Sequence, residues 1–342
     1  MNFYCGIDLS ARDSHLCVID EKLKALVDVK VKNDLARIVK LLEPYKPTMK
    51  IVVESTFNWY WLVDGLRAEG FQVCLAHTLG LSMITGAKVK TDRRDAFSLA
   101  KLLLAGVIPE AYIYPPETRP VRDLLRQRSR LVRKRAEEYG GLRRLLLREG
   151  IMQSSRNEIK LTDEADLERW FTEPLLQVSA RQELERIRLY AEQIKRLEEL
   201  LLERTKGDSS FQRLQGVCGI GQTLALTILY EVGEITRFAS VRQFCSYCRV
   251  VPGVAQSGAV TRRGRASKQG NHYLKWAFSQ AAVHAVRCYP KARRAFERQL
   301  ARHRGSGRKM IAYNIIAHRI AQSVFYVLRD GVEFREELLF GS

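Results

Sequence analysis

Four carboxylates stand where chemistry could be done. Asp8 lies near the end of the apolar run Tyr4-Cys5-Gly6-Ile7-Asp8-Leu9, and Glu54 closes the run Ile51-Val52-Val53. Asp92 and Asp95 are three apart in Thr91-Asp92-Arg93-Arg94-Asp95-Ala96, at the head of the apolar helical pattern Phe97, Leu99, Ala100, Leu102, Leu103. Residues i and i+3 share a helix face, so both acids can aim at one point. Taken alone, the pair is also what a first helical turn favours, because acids there complement the helix dipole. Acids at the strand ends of an α/β sheet project into the crevice where ligands usually bind. Their oxygens are hard donors suited to Mg²⁺ or Mn²⁺, and such clusters commonly hold a two-metal site for phosphodiester displacement. Four like charges brought together would need a cation to be tolerable.

A second group of residues is basic. Between residues 251 and 310 there are 14 Lys and Arg against one acid, Glu297, and Arg262, Arg263, Arg265 and Lys268 are four of the 14. So large an asymmetry reads as a phosphate-binding surface. Gly216-Val217-Cys218-Gly219-Ile220-Gly221 precedes the helical run Thr223–Tyr230. A Gly-x-Gly helix entrance, which resembles the hairpin of helix-hairpin-helix modules, exposes backbone N–H groups to phosphate and makes Gly219 and Gly221 candidate contacts, although a plain tight turn uses the same residues. Ser257, in Gln256-Ser257-Gly258, sits in a polar stretch where Ser-Gly usually makes a turn. Cys245 and Cys248 form a lone C-x-x-C with no second pair at zinc-site spacing, so two packed thiols is the simpler reading.

The elements that must position these groups follow from apolar periodicity. Phe3–Leu9, His15–Asp20 and Ala25–Val31 read as three successive antiparallel strands; Lys50–Glu54 and Phe71–Ala76 read as two more. Helices are expected from a cap at Asn33 to about Leu42, from Trp59 to Ala68, and from Asp92 onward. This is a mixed sheet in an α/β domain. Pro109, Pro115, Pro116 and Pro120 mark its end. Val121–Glu149 and Ala180–Arg204 then read as two long amphipathic helices on either side of a polar stretch, suggesting an antiparallel coiled-coil hairpin or oligomerisation arm. The first of them is strongly Arg-rich. Helices over His272–Val286, from Lys291 and over Lys309–Leu328 make the last part mainly α. The expected domains are 1–112, 113–206 and 207–342.

Composition bounds the function. With 342 residues, 46% hydrophobic and 28% charged, the chain is a folded protein with room for two or three domains. A net charge of +19 favours a polyanionic partner, most often nucleic acid. No apolar run approaches the ~20 residues of a membrane span. The opening residues leave no room for a secretory leader, and seven scattered cysteines suit a reducing cytoplasm.

Gly6-Ile7-Asp8, Val53-Glu54-Ser55-Thr56 and Thr91-Asp92-x-x-Asp95-Ala96 together resemble the Asp-Glu-Asp-Asp signature of insertion-sequence recombinases with a RuvC-like, ribonuclease-H-fold domain. That group includes bridge-RNA-guided transposases and the related pilin-gene invertase. The Gly216–Gly221 segment, Gln243-Phe244, Val251-Pro252, Gln256-Ser257-Gly258 and Lys268-Gln269-Gly270-Asn271-x-x-Leu274 follow in the order and spacing of that family's second domain. The resemblance implies a DNA transposase in which Asp8, Glu54, Asp92 and Asp95 hold divalent metal and Ser257 is the nucleophile that forms a phosphoserine link to DNA. It further implies double-stranded donor and target DNA, a structured guide RNA from the same element, and a homo-oligomer in which dimers assemble to a tetramer. Such a protein would work in the cytoplasm, on the nucleoid when active. Phe57-Asn58-Trp59-Tyr60 after Glu54, and Lys275 after Leu274, depart from the family pattern. Two other outcomes share these features: a site-specific invertase, and a junction-resolving Mg²⁺-dependent nuclease that uses water instead of serine. A nucleic-acid-binding protein with merely structural acids is a third.

Overall fold

The computed structural model describes residues 1–85, 91–151, 159, 162–251, 253–257, 260–264 and 269–340, with the backbone alone at 82–85, 253–257 and 260–264. Two compact units divide the chain, Met1–Pro116 and Glu117–Ser342.

In the first unit β1 (Phe3–Leu9), β2 (Asp13–Ile19), β3 (Ala25–Lys32), β4 (Met49–Glu54), β5 (Gln72–Ala76) and β6 (Glu110–Ala111) form a six-stranded sheet in the order β3-β2-β1-β4-β5-β6. β1, β2 and β3 pair antiparallel, β1 pairs β4 and β4 pairs β5 in parallel, and β6 is antiparallel to β5. The sheet is therefore mixed, as its strand spacing implied. Strand alternation sorts the side chains. Cys5, Ile7, Leu16, Val18, Ile51 and Val53 face one layer, built by α1 (Leu35–Leu42) and α2 (Tyr60–Ala68) through Ile38, Leu42, Leu62 and Leu66. Cys17, Ile19 and Val52 face the other, where α4 (Asp92–Leu104) packs Ala96, Leu99 and Ala100. α3 (Thr78–Thr85) lies between β5 and α4 in sequence.

One local expectation changes. α1 is capped by Asp34, whose carboxylate accepts from Arg37 N, and not by Asn33. Asn33 instead accepts from Ser14 Oγ at 2.6 Å and donates to Ser10 O at 3.0 Å, bracing the β1–β2 turn. The short polar side chain that reads as a cap is used one residue earlier as a cross-strand brace.

The second unit begins with α5 (Arg119–Arg148), followed by α6 (Glu164–Trp170) and α7 (Pro174–Arg204). α5 and α7 run antiparallel, as the ion pairs Arg128–Glu198 and Arg186–Glu138 require. Their far end closes on Leu142, Leu146, Leu167, Phe171 and Leu184. α6 falls in a stretch that reads as merely polar; a capping box between Asp163 and Asp166 starts it. α7 begins at Pro174, well before Ala180, because Glu173 caps it and proline suits the first turn.

Beyond the long helices come α8 (Ser209–Gln215), α9 (Gln222–Val232), α10 (Val241–Tyr247), α11 (His272–Cys288), α12 (Pro290–Arg302), α13 (Arg308–Asp330) and α14 (Glu336–Phe340). They surround a core that includes Phe244, Leu274, Phe278, Ile316, Val324 and Phe325. Val121 and Leu125 of α5 and Leu201 of α7 belong to that same core, so the long hairpin is rooted in it. Between α10 and α11 the chain forms a hairpin of β7 (Gly253–Ser257) and β8 (Val260–Gly264) where a polar loop was expected. Among the described residues no helix is long and apolar enough to cross a membrane.

Candidate active site

Sheet register decides which of the four acids can meet. Asp8 lies opposite His15 of β2, and His15 lies opposite Lys30 of β3. On the other side of β1, Ile7 lies beside Val53. Asp8 and Glu54, one residue further along adjacent parallel strands about 4.8 Å apart, therefore project from the same face. It is the face that carries α4.

α4 is held against β1 because Gly6 has no side chain. A Cβ there would lie 2.0 Å from Ala96 O and 2.7 Å from Ala100 N. The helix starts at a cap in which Thr91 Oγ1 accepts from Arg94 N. Its first turn then reaches over β2 and β3: Arg93 Nε donates to Asp28 Oδ2 at 2.6 Å, and Lys30 Nζ to Asp92 Oδ2 at 3.1 Å. Asp28 Oδ1 is 2.7 Å from His15 Nε2. The hydrogen bond from His15, followed by the Arg93 guanidinium, holds the Asp28 carboxyl below the usual carboxylate range despite some desolvation. Burial first, and then the charge of Asp28, pushes the neighbouring Cys17 thiol up to about 11.

Asp8, Glu54, Asp92 and Asp95 thus share one face and one end of the sheet. Asp8, Glu54 and Asp95 are partly exposed, and the Asp92 side chain is 50% exposed. The acids are not drawn into a closed cage, since no group of three or more His, Cys, Asp or Glu among the described residues is placed to hold a metal ion. His15, Asp28 and Lys30 were not singled out in the sequence; alternation in β2 and β3, counted from the register of β1, was the signal available.

The other proposed contacts lie in the second unit. Ser257 ends β7 opposite Val260, next to the hairpin's two-residue connection, and Ala255 and Val254 lie opposite Arg262 and Arg263. Arg265 and Lys268 lie outside the described residues, as do Gly258 and Pro252. Gly219 has φ +79° and would place a Cβ 2.2 Å from Ala281 O, so close packing on α11 accounts for that glycine. Gly221, the cap of α9, has open space beside it. Cys245 and Cys248 are buried in the helical core; burial pushes Cys245 up to about 12 and raises Cys248 as well. They are packing residues there.

Sequence reasoning missed an acid in this unit. Glu231 of α9 is 1% exposed. Arg122 Nε donates to its Oε2 at 3.1 Å, Arg126 Nε to Oε1 at 2.6 Å and Arg126 Nη2 to Oε2 at 2.9 Å. Asn271 Nδ2 also donates to Oε2, at 2.7 Å. Burial alone would raise the Glu231 carboxyl, but its hydrogen bond from Arg126 and the two guanidinium charges bring it below the ordinary glutamate value. An apolar helix such as Thr-Leu-Ala-Leu-Thr-Ile-Leu-Tyr-Glu-Val hides such a residue.

Comparison with known proteins fixes the class. A model described as a transposase family of the Asp-Glu-Asp-Asp type found in IS110 elements matches residues 5–150, and a model of the transposase IS116/IS110/IS902 family matches residues 211–297. The chain is 30% identical over 256 residues to a "Probable family 20 transposase" of Pseudomonas aeruginosa, covering 71% of this chain and 72% of that one. It is 27% identical over 286 residues to the "Transposase for insertion sequence element IS1111A" of Coxiella burnetii, covering 79% and 74% of the two chains. These similarities make it a DNA transposase. The chain belongs to the IS110/IS116 family.

Proposed function

We propose that this transposase cuts and rejoins DNA strands with divalent metal at Asp8, Glu54, Asp92 and Asp95 and with Ser257 as nucleophile. The observation that supports the reading is the register that sets Asp8 and Glu54 on the sheet face over which α4, bearing Asp92 and Asp95, packs tightly against Gly6. An antiparallel β3-β2-β1 half followed by parallel β4 and β5 supports a RuvC-like, ribonuclease-H-type domain over 1–112. The antiparallel α5–α7 pair supports a coiled-coil arm over 113–206, and the helical remainder with its hairpin a nucleophile domain over 207–342.

The donor set fits a hard cation such as Mg²⁺ or Mn²⁺: carboxylate oxygens only, partly open to water, with Asp92 free to exchange an exposed lysine for metal. Bound there, the metal would polarise a phosphate and neutralise charge that develops on it. The protein's residues do the rest. Ser257 Oγ attacks phosphorus, an Oγ–P bond forms, one bridging P–O bond breaks, and the serine proton ends on the leaving DNA hydroxyl. Arg262, Arg263, Arg265 and Lys268 hold the phosphates and stabilise the transition state's added negative charge. Gly219 and Gly221 belong to a turn of the helix-hairpin-helix kind against the DNA backbone. A guide RNA from the element would direct the choice of DNA, and the acids and Ser257 would meet within an oligomer, a dimer that assembles to a tetramer.

The test is to trap protein on labelled DNA carrying the gene's flanking sequences. Ser257→Ala is expected to abolish the denaturant-resistant adduct and strand joining, and Asp92→Ala to abolish both while DNA binding persists. Joining by Ser257→Ala at the wild-type rate would falsify the serine step and assign attack to water.

A further inference from the structure

The Ser257 hairpin lies in sequence between α10 and α11, so Tyr247 and Asn271 flank its neck. Its two sides are tied where Asn271 N donates to Tyr247 O at 2.7 Å. Gly270, at φ +96°, is required in that closure, since a Cβ would lie 2.4 Å from Tyr247 O. Asn271 also starts α11: its Oδ1 accepts from Tyr273 N at 2.9 Å and Leu274 N at 3.1 Å. Both ends of that side chain are therefore committed, one to the helix and the other, through Nδ2, to buried Glu231. Glu231 in turn receives Arg122 and Arg126 from the first turns of α5, the root of the long arm. The Arg126 guanidinium also lies 4.7 Å from the Tyr273 ring centroid, one residue past His272 at the start of α11.

A buried ion network of this kind is a poor way to gain stability, because desolvation offsets much of the attraction and apolar residues of similar volume often do as well. What it supplies is directionality. The donors reach Glu231 from two segments: α5 through Arg122 and Arg126, and the neck through Asn271. We propose that Glu231 is a positioning residue of strand transfer, which locks the neck of the Ser257 hairpin to the root of the arm so that arm and nucleophile move together. The proposal rests on the serine reading for the hairpin's role, but the lock itself is independent of it.

The bond's polarity allows a swap. Asn271→Asp keeps the cap acceptor for α11 yet sets a carboxylate against Glu231. Glu231→Gln keeps the shape yet removes the charge between two arginines. Combined, the two changes reverse the direction of the bond between 231 and 271 and so restore that link alone, because an amide nitrogen in place of Oε2 cannot accept from Arg122 and Arg126. A plasmid carrying the gene with its flanking DNA reports strand exchange by the junctions formed in cells. Tryptic cleavage read by mass spectrometry at the bonds after Arg262, Arg263, Arg265 and Lys268 reports hairpin order in the purified full chain, and thermal unfolding reports fold. Each single change is expected to lower junction formation about tenfold or more and to speed tryptic cleavage, and the double change, which remakes the bond between 231 and 271 but not the arginine contacts, to recover part of both. Arg126→Lys, a milder change that keeps the charge but loses the two-point contact, is expected to lose several-fold. A double variant that unfolds at the wild-type temperature yet forms no more junctions than either single one overturns the proposal. So does Arg126→Lys at full rate. If Ser257→Ala leaves junctions intact, the serine reading falls while the tryptic comparison still decides the lock.

Discussion

The two groups of acids in this protein live under opposite conditions. On the sheet face of the first unit, carboxylates stand together in reach of water, and the described partner of Asp92 is a lysine itself 56% exposed. In the second unit a single carboxylate, Glu231, is sealed from water and held by two arginines and an asparagine. An exposed ion pair contributes little, so Asp92 can trade Lys30 for another cation at small cost. A buried one cannot trade, because a lone charge left inside is expensive. Openness suits acids that must take and release a ligand; closure suits an acid that must hold chain segments in register.

The sharpest way to break that contrast is to make the same change at both places. Glu231→Ala leaves the buried Arg122 and the partly exposed Arg126 without their carboxylate, and unfolding in denaturant is expected to show a loss of about 3 kcal/mol or more. Asp92→Ala, at an exposed position, is expected to move stability by less than about 0.5 kcal/mol while abolishing strand joining. Equal stability losses at the two positions would erase the distinction drawn between them.

A smaller effect sharpens the sheet side. Gly6→Ala puts a methyl group into the backbone of α4 at Ala96 and Ala100, where no flexible side chain can yield. The helix must shift, at an expected cost of about 1–3 kcal/mol. Because Asp92 and Asp95 ride on the first turn of that helix, joining should fall more than stability alone accounts for, and higher Mg²⁺ should be needed. Unchanged metal dependence in a folded Gly6→Ala protein would separate the helix from the site.

These contrasts also mark what could be read from the residues alone. The strands β1 to β5, their mixed sheet and the two long helices all rest on local patterns: alternation and apolar periodicity. The cap at Asn33 failed because Asn33 and Asp34 both offer a capping side chain, and only the β1–β2 turn decides between them. The hairpin of β7 and β8 was hidden by glycine and polar residues that resemble a loop. Glu231 was hidden by its setting, for its partners Arg122 and Asn271 are 109 and 40 positions away, and nothing local announces them. The same distance conceals Asp28, whose partner Arg93 follows 65 residues later.

The smallest expected effect concerns pH and tests the buried side again. Free glutamate in an unfolded chain titrates near 4.3. In the folded protein burial works to raise Glu231, but Arg126 and Arg122 outweigh it, and the folded value lies below the ordinary one. Between the two values the unfolded chain binds more protons than the folded one, so stability rises with pH there. The charge of Glu231 therefore contributes fully above about pH 4.3, and its contribution is lost as pH falls through the lower folded value. Other carboxylates titrate over the same range, which is why wild type must be set against Glu231→Gln and not read alone. The stability gap between them should be constant near neutrality and narrow on acidification below about pH 4.3, since a protonated glutamate resembles glutamine. Denaturant unfolding at a series of pH values measures it. A gap that stays the same down to the folded protein's acid limit would mean that hydrogen-bond shape, and not charge, is what Glu231 gives to the two arginines.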